Sequence, residues 1–460
     1  MTLREFLSEG WYGISIFCGA ICGVGAVYSE AAPVLALVGI LVIGIGIYVP
    51  TLTIAFMYFG IATDVGGMIG IDVLGLPLTI SKLGVLLALF CYLVNTVMRG
   101  KSLFRFNWLL FSLVMVVASM TASVAVSGMP GPAFRFIMGV AMLTVMVALI
   151  DSGVEKAHLP DLVKFMAFMI ILLGLWAVLN RHTAVIFRLD HAWQERNTGT
   201  FGDPNFWALF LVVSCPIMVA SLVEEDTWTA RGLLLGVLVC YPLLVVGSYS
   251  RAGLLGMLVT GPGIAFLLRK HWQMVLVVVV MIIPLIPFVV NVDAAILRYG
   301  TLFNPGQEAE LGHASLSERT MLLYAGIDLI KAHPITGIGV GMFPTYASYV
   351  TAGGVWKVAH NTYITIWVEQ GLIGVVTHLF LFANILYTGY RGAWHGPTPY
   401  YRAISVGFLV GMAGAALMAL TLNVMDFSPI YYCMGIGLIA ESTTRRAPEH
   451  VHLQPVLEVR

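Results

Sequence analysis

Long apolar runs separated by short polar breaks dominate the chain, and the length of those runs carries the first reading. A helix needs roughly 17–25 apolar residues to cross the hydrocarbon core of a bilayer, somewhat fewer when its flanks snorkel. Runs of that order lie near 11–29, 33–48, 49–63, 83–98, 107–126, 134–150, 162–180, 204–222, 232–249, 251–268, 272–291, 362–390, 403–421 and 428–441. Fourteen spans are therefore predicted; only Val49-Pro50 separates the second from the third, so twelve or thirteen stay open. The chain reads as an all-α polytopic membrane protein with one membrane domain over 1–460. Within it, 1–195 are N-terminal helices, 196–440 form a core that includes the long loop 292–361, and 441–460 are a tail.

The polar breaks orient the bundle. Arg99, Lys101 and Arg105 make the densest basic cluster, and lysine and arginine in short loops favour the cytoplasm. Alternation then places both termini inside, and 181–203, 250, 292–361 and 422–427 outside. Seven outer positive charges fall in two loops: Arg181, Arg188 and Arg196 in one, and Arg298, Arg319, Lys331 and Lys357 in the other. Outer arginines run against the topology rule, so they point to an anionic group on that face. The loop 292–361 has its own signals. Ser315-Leu-Ser-Glu318 is a capping box that predicts a helix over about 316–332, ended by His333-Pro334. Leu316, Leu323, Ile327 and Ile330 would form its apolar stripe. Gly337-Ile-Gly339-Val-Gly341 predicts a tight, close-packed turn; without a preceding strand it is no phosphate loop.

Composition narrows the class. The chain is 59% hydrophobic and 10% charged, with mean hydropathy +0.91 and no net charge, so nothing favours nucleic acid. Its six cysteines lie inside apolar runs and read as small hydrophobes, without the spacing of a metal site or a disulfide framework. The first run lacks a small-x-small cleavage site and reads as an uncleaved anchor.

Within this frame few side chains are candidates for chemistry. His360, in Ala359-His-Asn-Thr-Tyr363, stands at the outer lip of a span, where a neutral imidazole can take a proton from a hydroxyl. A helix-capping histidine is the competing reading, and the two stand level. Arg251, in Gly247-Ser-Tyr-Ser-Arg-Ala-Gly253, either snorkels or faces a polar cavity. Arg196 either meets a ligand or pairs with Glu195. Asp203-Pro204 predicts a helix start with Asp203 as N-cap, which points a partly positive helix end outward. Arg319 sits in the first turn of the loop helix, where cations are mildly unfavourable. Glu369 lies nine residues past His360 on another face of the span and reads as structural. Guanidinium groups bind phosphate oxygens in pairs, so several arginines with one histidine suit transfer of a group from a diphosphate to a hydroxyl. No cluster has metal spacing, and no cofactor is implied. A polytopic solute transporter is the alternative from another class; it should carry polar residues at mid-membrane and inverted repeats.

Four motifs occur in a set order: Asn197-Thr-Gly-Thr-Phe-Gly-Asp-Pro-Asn-Phe-Trp-Ala208, Ser250-Arg-Ala-Gly-Leu-Leu255, His333-Pro-Ile-Thr-Gly-Ile-Gly339, and Ala359-His-Asn-Thr-Tyr363 with Glu369-Gln-Gly-Leu-Ile-Gly374. Over about 196–440 the chain resembles the O-antigen ligase and polymerase superfamily of bacterial membrane glycosyltransferases. The resemblance implies a GT-C-type architecture in the inner membrane. It implies a glycan donor on undecaprenyl diphosphate and transfer at the periplasmic face to a hydroxyl of lipid A–core or of a lipid-linked glycan, without metal or nucleotide sugar. It assigns His360 as base and Arg196, Arg251 and Arg319 as diphosphate contacts. Asn361 is a further substrate contact, with Asp203, Asn205 and Glu369 as structural neighbours. A protein O-oligosaccharyltransferase is a further branch of the same resemblance.

Overall fold

In a bilayer each backbone polar group must find its partner inside the protein, and for apolar runs of this length that means helices. The structure, a computed structural model, describes residues 43–63, 71–73, 76–78, 80–100, 106–127, 130–179, 198–300, 315–351 and 357–442. Chain order gives α1 Pro50–Thr63, a short antiparallel pair β1 Ile71–Val73 and β2 Leu76–Leu78, α2 Ile80–Met98, α3 Trp108–Ser127, α4 Pro130–Gly153 and α5 Leu159–Leu179. There follow α6 Pro204–Val223, α7 Trp228–Gly247, α8 Arg251–Leu267, α9 Trp272–Val289, α10 Val292–Gly300, α11 Ser315–Ala332 and α12 Phe343–Val350. The last three are α13 Thr362–His395, α14 Pro399–Met418 and α15 Ser428–Ser442. Among the described residues eight helices are long and apolar enough to cross a membrane: α3 to α7, α9, α13 and α14; α1, α2 and α8 are shorter apolar helices. This is an all-α polytopic membrane protein. Every predicted span from 49–63 to 403–421 coincides with one of these helices, and 428–441 coincides with α15, which is in neither group, while 11–29 and most of 33–48 lie outside the described residues.

The bundle is built around α6. Its residues Trp207 to Leu222 are all buried, as expected of a helix that is apolar on every face. It packs against α5, α7, α8, α14 and α15. The approach to α14 is close because Gly407 and Gly411 face it: a Cβ on either would stand 2.5 Å from the backbone oxygens of Pro216 or Val213. Small residues at such crossings let helices associate where lipid supplies no hydrophobic drive. By contrast α9 buries only Val278 and faces outward along most of its length.

The structure corrects three details. First, the β1–β2 ladder, α10 and α12 were absent from the sequence reading, since each is too short for periodicity to reveal. Second, α11 turns Leu322, Ala325, Gly326 and Leu329 to the protein, while Leu323 is exposed. The predicted stripe was one position out of phase, because Gly326 sets the contact: a Cβ there would meet the Ile364 side chain of α13 at 2.6 Å. Third, α13 is not one span but two helical segments broken at Gly371, whose φ is 63° and ψ −158°.

The break at Gly371 is filled by the turn after α11. Ile338 N–H donates to Val368 O at 2.8 Å and Gly339 N–H to Glu369 O at 2.9 Å, while Leu372 N–H donates to Pro334 O at 3.0 Å. The broken helix thus exchanges backbone bonds with a glycine turn rather than leaving orphans in lipid. Gly337, Gly339 and Gly341 all have positive φ, and a Cβ on Gly337 would stand 2.5 Å from the Glu369 carbonyl carbon. The buried Glu369 carboxylate completes the joint by accepting from Phe343 N–H at 3.1 Å and from the Gly341 backbone. Gly371 lies nine residues below Thr362, about 14 Å along the axis, so the turn re-enters the bundle. Val340 N–H reaches Ser123 Oγ of α3 at 3.2 Å from within it.

Candidate functional site

Three helix starts meet at one end of the bundle. At α6, Asp203 Oδ1 accepts from Asn205 N–H at 2.6 Å and Phe206 N–H at 3.3 Å, capping the helix. At α8, Ser250 accepts from Gly253 N–H at 3.0 Å and donates to Asn205 Oδ1 at 2.7 Å. At α13, Asn361 Oδ1 accepts from Ile364 N–H at 3.1 Å. The Asn205–Ser250 bond pins the first two starts together and sets Arg251 in the first turn of α8, beside the start of α6. Helix starts carry partial positive charge, so their convergence favours an anion before any side chain is counted.

His360 precedes the third start. Its φ is 49°, the left-handed region, which costs a residue with a Cβ about 1–2 kcal/mol. The residues on either side enforce the conformation. Ala359 is buried among Leu322, Phe343 and Val368, which fastens the chain to α11, α12 and α13. Thr362 N–H donates to Ala419 O at 2.9 Å, its Oγ1 donates to Leu422 O at 2.7 Å and accepts from Val424 N–H at 3.1 Å. Tyr363 OH donates to Ala416 O at 2.8 Å. The only other described non-glycine residue with positive φ is Tyr249, two positions before Arg251. Both strained residues therefore lead into helix starts at this end, and strain held by over-determined surroundings is a mark of functional segments.

The charges around the imidazole come from separate parts of the chain. Burial lowers the His360 pKa from its ordinary 6.5, the Arg319 guanidinium lowers it further, and Lys357 acts in the same sense; Asp203 and Glu318 oppose them. Lys357 Nζ pairs with Glu318 Oε2 at 2.6 Å, tying the approach to His360 onto the first turn of α11. The Glu318 carboxylate of the predicted capping box is thus engaged across the loop. Net, the ring is held neutral at pH 7 and can accept a proton.

The structure brings His360, Arg319 and Asp203 into one electrostatic neighbourhood and joins Asp203, Asn205 and Ser250 by hydrogen bonds next to Arg251. Asn361 serves as a helix cap through its Oδ1, and Glu369 is part of the Gly371 joint, below the site. Arg196 lies outside the described residues. Sequence reasoning missed Thr362, the clamp behind His360, and Asn423, which lies between its two loop partners and has its Oδ1 buried without a partner among the described residues. The polar run Thr421-Leu-Asn423 in an apolar stretch was the available signal. Among the described residues no group of three or more His, Cys, Asp or Glu side chains could hold a metal ion.

Residues 236–379 match the family described as O-Antigen ligase. This stretch runs from α7 through the first half of α13 and so contains Arg251, Arg319, His360, Asn361 and Glu369. It supports the O-antigen ligase and polymerase superfamily. Among curated proteins the chain finds no match.

Proposed function

We infer from the O-antigen ligase match over residues 236–379 that this multi-pass membrane protein carries out O-antigen ligase-like glycan transfer, and we propose a mechanism for it. The donor is a glycan on undecaprenyl diphosphate and the acceptor a hydroxyl of lipid A–core or of a second lipid-linked glycan. The reaction takes place at the end bearing His360, facing the periplasm of a cell with both termini of this chain in the cytoplasm. His360 Nε2 or Nδ1 removes the hydroxyl proton. The acceptor oxygen bonds to the anomeric carbon as the bond from that carbon to the diphosphate oxygen breaks, and the diphosphate leaves with the electron pair. Arg319 and Arg251, with the α6 and α8 starts, stabilise the charge that gathers on it. Arg196 is proposed as a further diphosphate contact, and Asn361 as a contact of the acceptor sugar.

One observation carries the reading: a histidine with lowered pKa, held in a left-handed backbone, beside an arginine from the loop helix and the cap of the central helix. It is tested by reconstituting the protein with undecaprenyl-diphosphate glycan and alternative acceptors. Product on lipid A–core marks a ligase, and longer glycan on the lipid carrier marks a polymerase. No transfer to any hydroxyl acceptor would refute the proposal. Loss of one arginine should weaken donor use by about 2–5 kcal/mol, as when one member of a desolvated charge pair is removed.

A further inference from the structure

We propose that Phe427 is a positioning residue: through the loop 419–427 it fixes how far His360 stands from the helix starts that hold the diphosphate. The inference rests on the glycan-transfer reading above. The two halves of the site lie on helices without extensive contact with each other. Both α6 and α13 pack instead against α14 and α15. The loop that joins α14 to α15 is the piece that reaches both halves at the level of the site.

One end of this loop is fastened to the base. Thr362, two residues past His360, donates to Ala419 O and Leu422 O and accepts from Val424 N–H. The other end is fastened to the start of α6. The buried Phe427 ring lies 5.6 Å from the Phe201 ring and 5.3 Å from the Phe206 ring, centroid to centroid. Rings at such separations attract beyond the area they bury. Phe201 and Phe206 flank Asp203, the α6 cap, and Asn205, which holds the α8 start through Ser250. Between its ends the loop is braced. Tyr431 OH donates to Met425 O at 2.6 Å, and Phe427 N–H donates to Val424 O at 3.2 Å. A shift of Phe427 therefore moves base and helix starts relative to one another, while each keeps its own contacts. The reaction rate is more sensitive to that separation than binding is, since a misplacement of about 1 Å can cost on the order of 10²-fold.

The experiment measures transfer from undecaprenyl-diphosphate glycan by wild type, Phe427→Ala, Phe427→Leu, Thr362→Val and the double variant Thr362→Val with Phe427→Ala. Phe408→Ala is the packing control: Phe408 is equally buried, but it packs on Gly437 and lies about 15 Å along α14 from the site. Phe427→Ala should lower kcat by about 10–100-fold with the donor KM nearly unchanged, and Phe427→Leu should recover part of that loss. The double variant should be no slower than the slower single one, because both substitutions release the same loop. Losses that multiply, a loss carried by KM, or an equal fall in kcat for Phe408→Ala overturns the proposal. The geometry has a readout of its own. Spin labels on Thr198→Cys and Val358→Cys, ahead of α6 and of His360, should give a shifted or broader distance distribution in Phe427→Ala but not in Phe408→Ala. An unchanged distribution in Phe427→Ala also overturns it. Should Phe427→Ala not fold, Phe427→Leu takes its place in every comparison. If wild type transfers nothing, the glycan-transfer reading fails by itself, and the spin-label distances still decide the role of the loop.

Discussion

At the scale of single residues, His360 combines two costs that packing alone would not select: a left-handed backbone and a partly buried imidazole within electrostatic reach of a guanidinium. Removing the ring should separate them. His360→Ala and His360→Gly should each reduce transfer by about 10²–10⁴-fold, the usual share of a general base. The glycine variant should unfold at higher temperature than the alanine variant, by an equivalent of about 1 kcal/mol, since only alanine keeps the strained Cβ. Equal unfolding temperatures would show that the surroundings relax. The pH profile follows from the sign of the shift. A base works in its neutral form, and its pKa is lowered, so kcat/KM should fall on acidification with a midpoint below pH 6.5. Arg319→Gln removes a charge that disfavours the imidazolium, so the acid limb should move up toward 6.5; Asp203→Asn should move it down. Limbs unmoved in both variants would mean that another group titrates. Of these neighbours, the sequence alone could name His360, Arg319 and Asp203, because ionisable groups at a membrane lip are few. It could not say that they adjoin, since they lie on three separate helix starts.

At the scale of elements, the joint between the glycine turn and the break in α13 is the part that sequence conceals. His333–Gly341 and Glu369–Gly374 were visible as two motifs, but that each supplies the other's missing backbone partners is a long-range fact. A glycine within an apolar run carries no mark that distinguishes a break from a packing contact. The distinction can be measured. Gly371→Ala places a Cβ 2.1 Å from Ile335 O at a positive φ and should cost about 2–4 kcal/mol of stability in detergent, with loss of transfer. Gly139, on α4, has open space around the same position, and Gly139→Ala should stabilise by about 0.5–1 kcal/mol. Thermal unfolding of the pair checks both; similar values would contradict the joint. Glu369→Ala should also destabilise, because the backbone N–H groups of Gly341 and Phe343 then lie buried without an acceptor, at about 1–3 kcal/mol each.

At the scale of the whole molecule, span positions were legible within a few residues because lipid imposes a length on any crossing helix and overrides local propensity. Orientation is the proposal to test at this scale. Lys357→Cys and Asp226→Cys lie in separate, exposed segments at opposite ends of the bundle, and an impermeant thiol reagent added to intact spheroplasts should label only the first. Labelling of Asp226→Cys instead would invert the topology and remove the periplasmic site. The glycine joint also sets a constraint on biosynthesis. The turn around Gly339 leaves the ribosome roughly thirty residues before Glu369, a delay of about two to six seconds at ordinary elongation rates. Throughout that interval the Ile338 and Gly339 N–H groups lack their Val368 and Glu369 acceptors, which favours keeping them in water. Membrane entry of this turn is therefore a late event, triggered by the arrival of the helix that receives it.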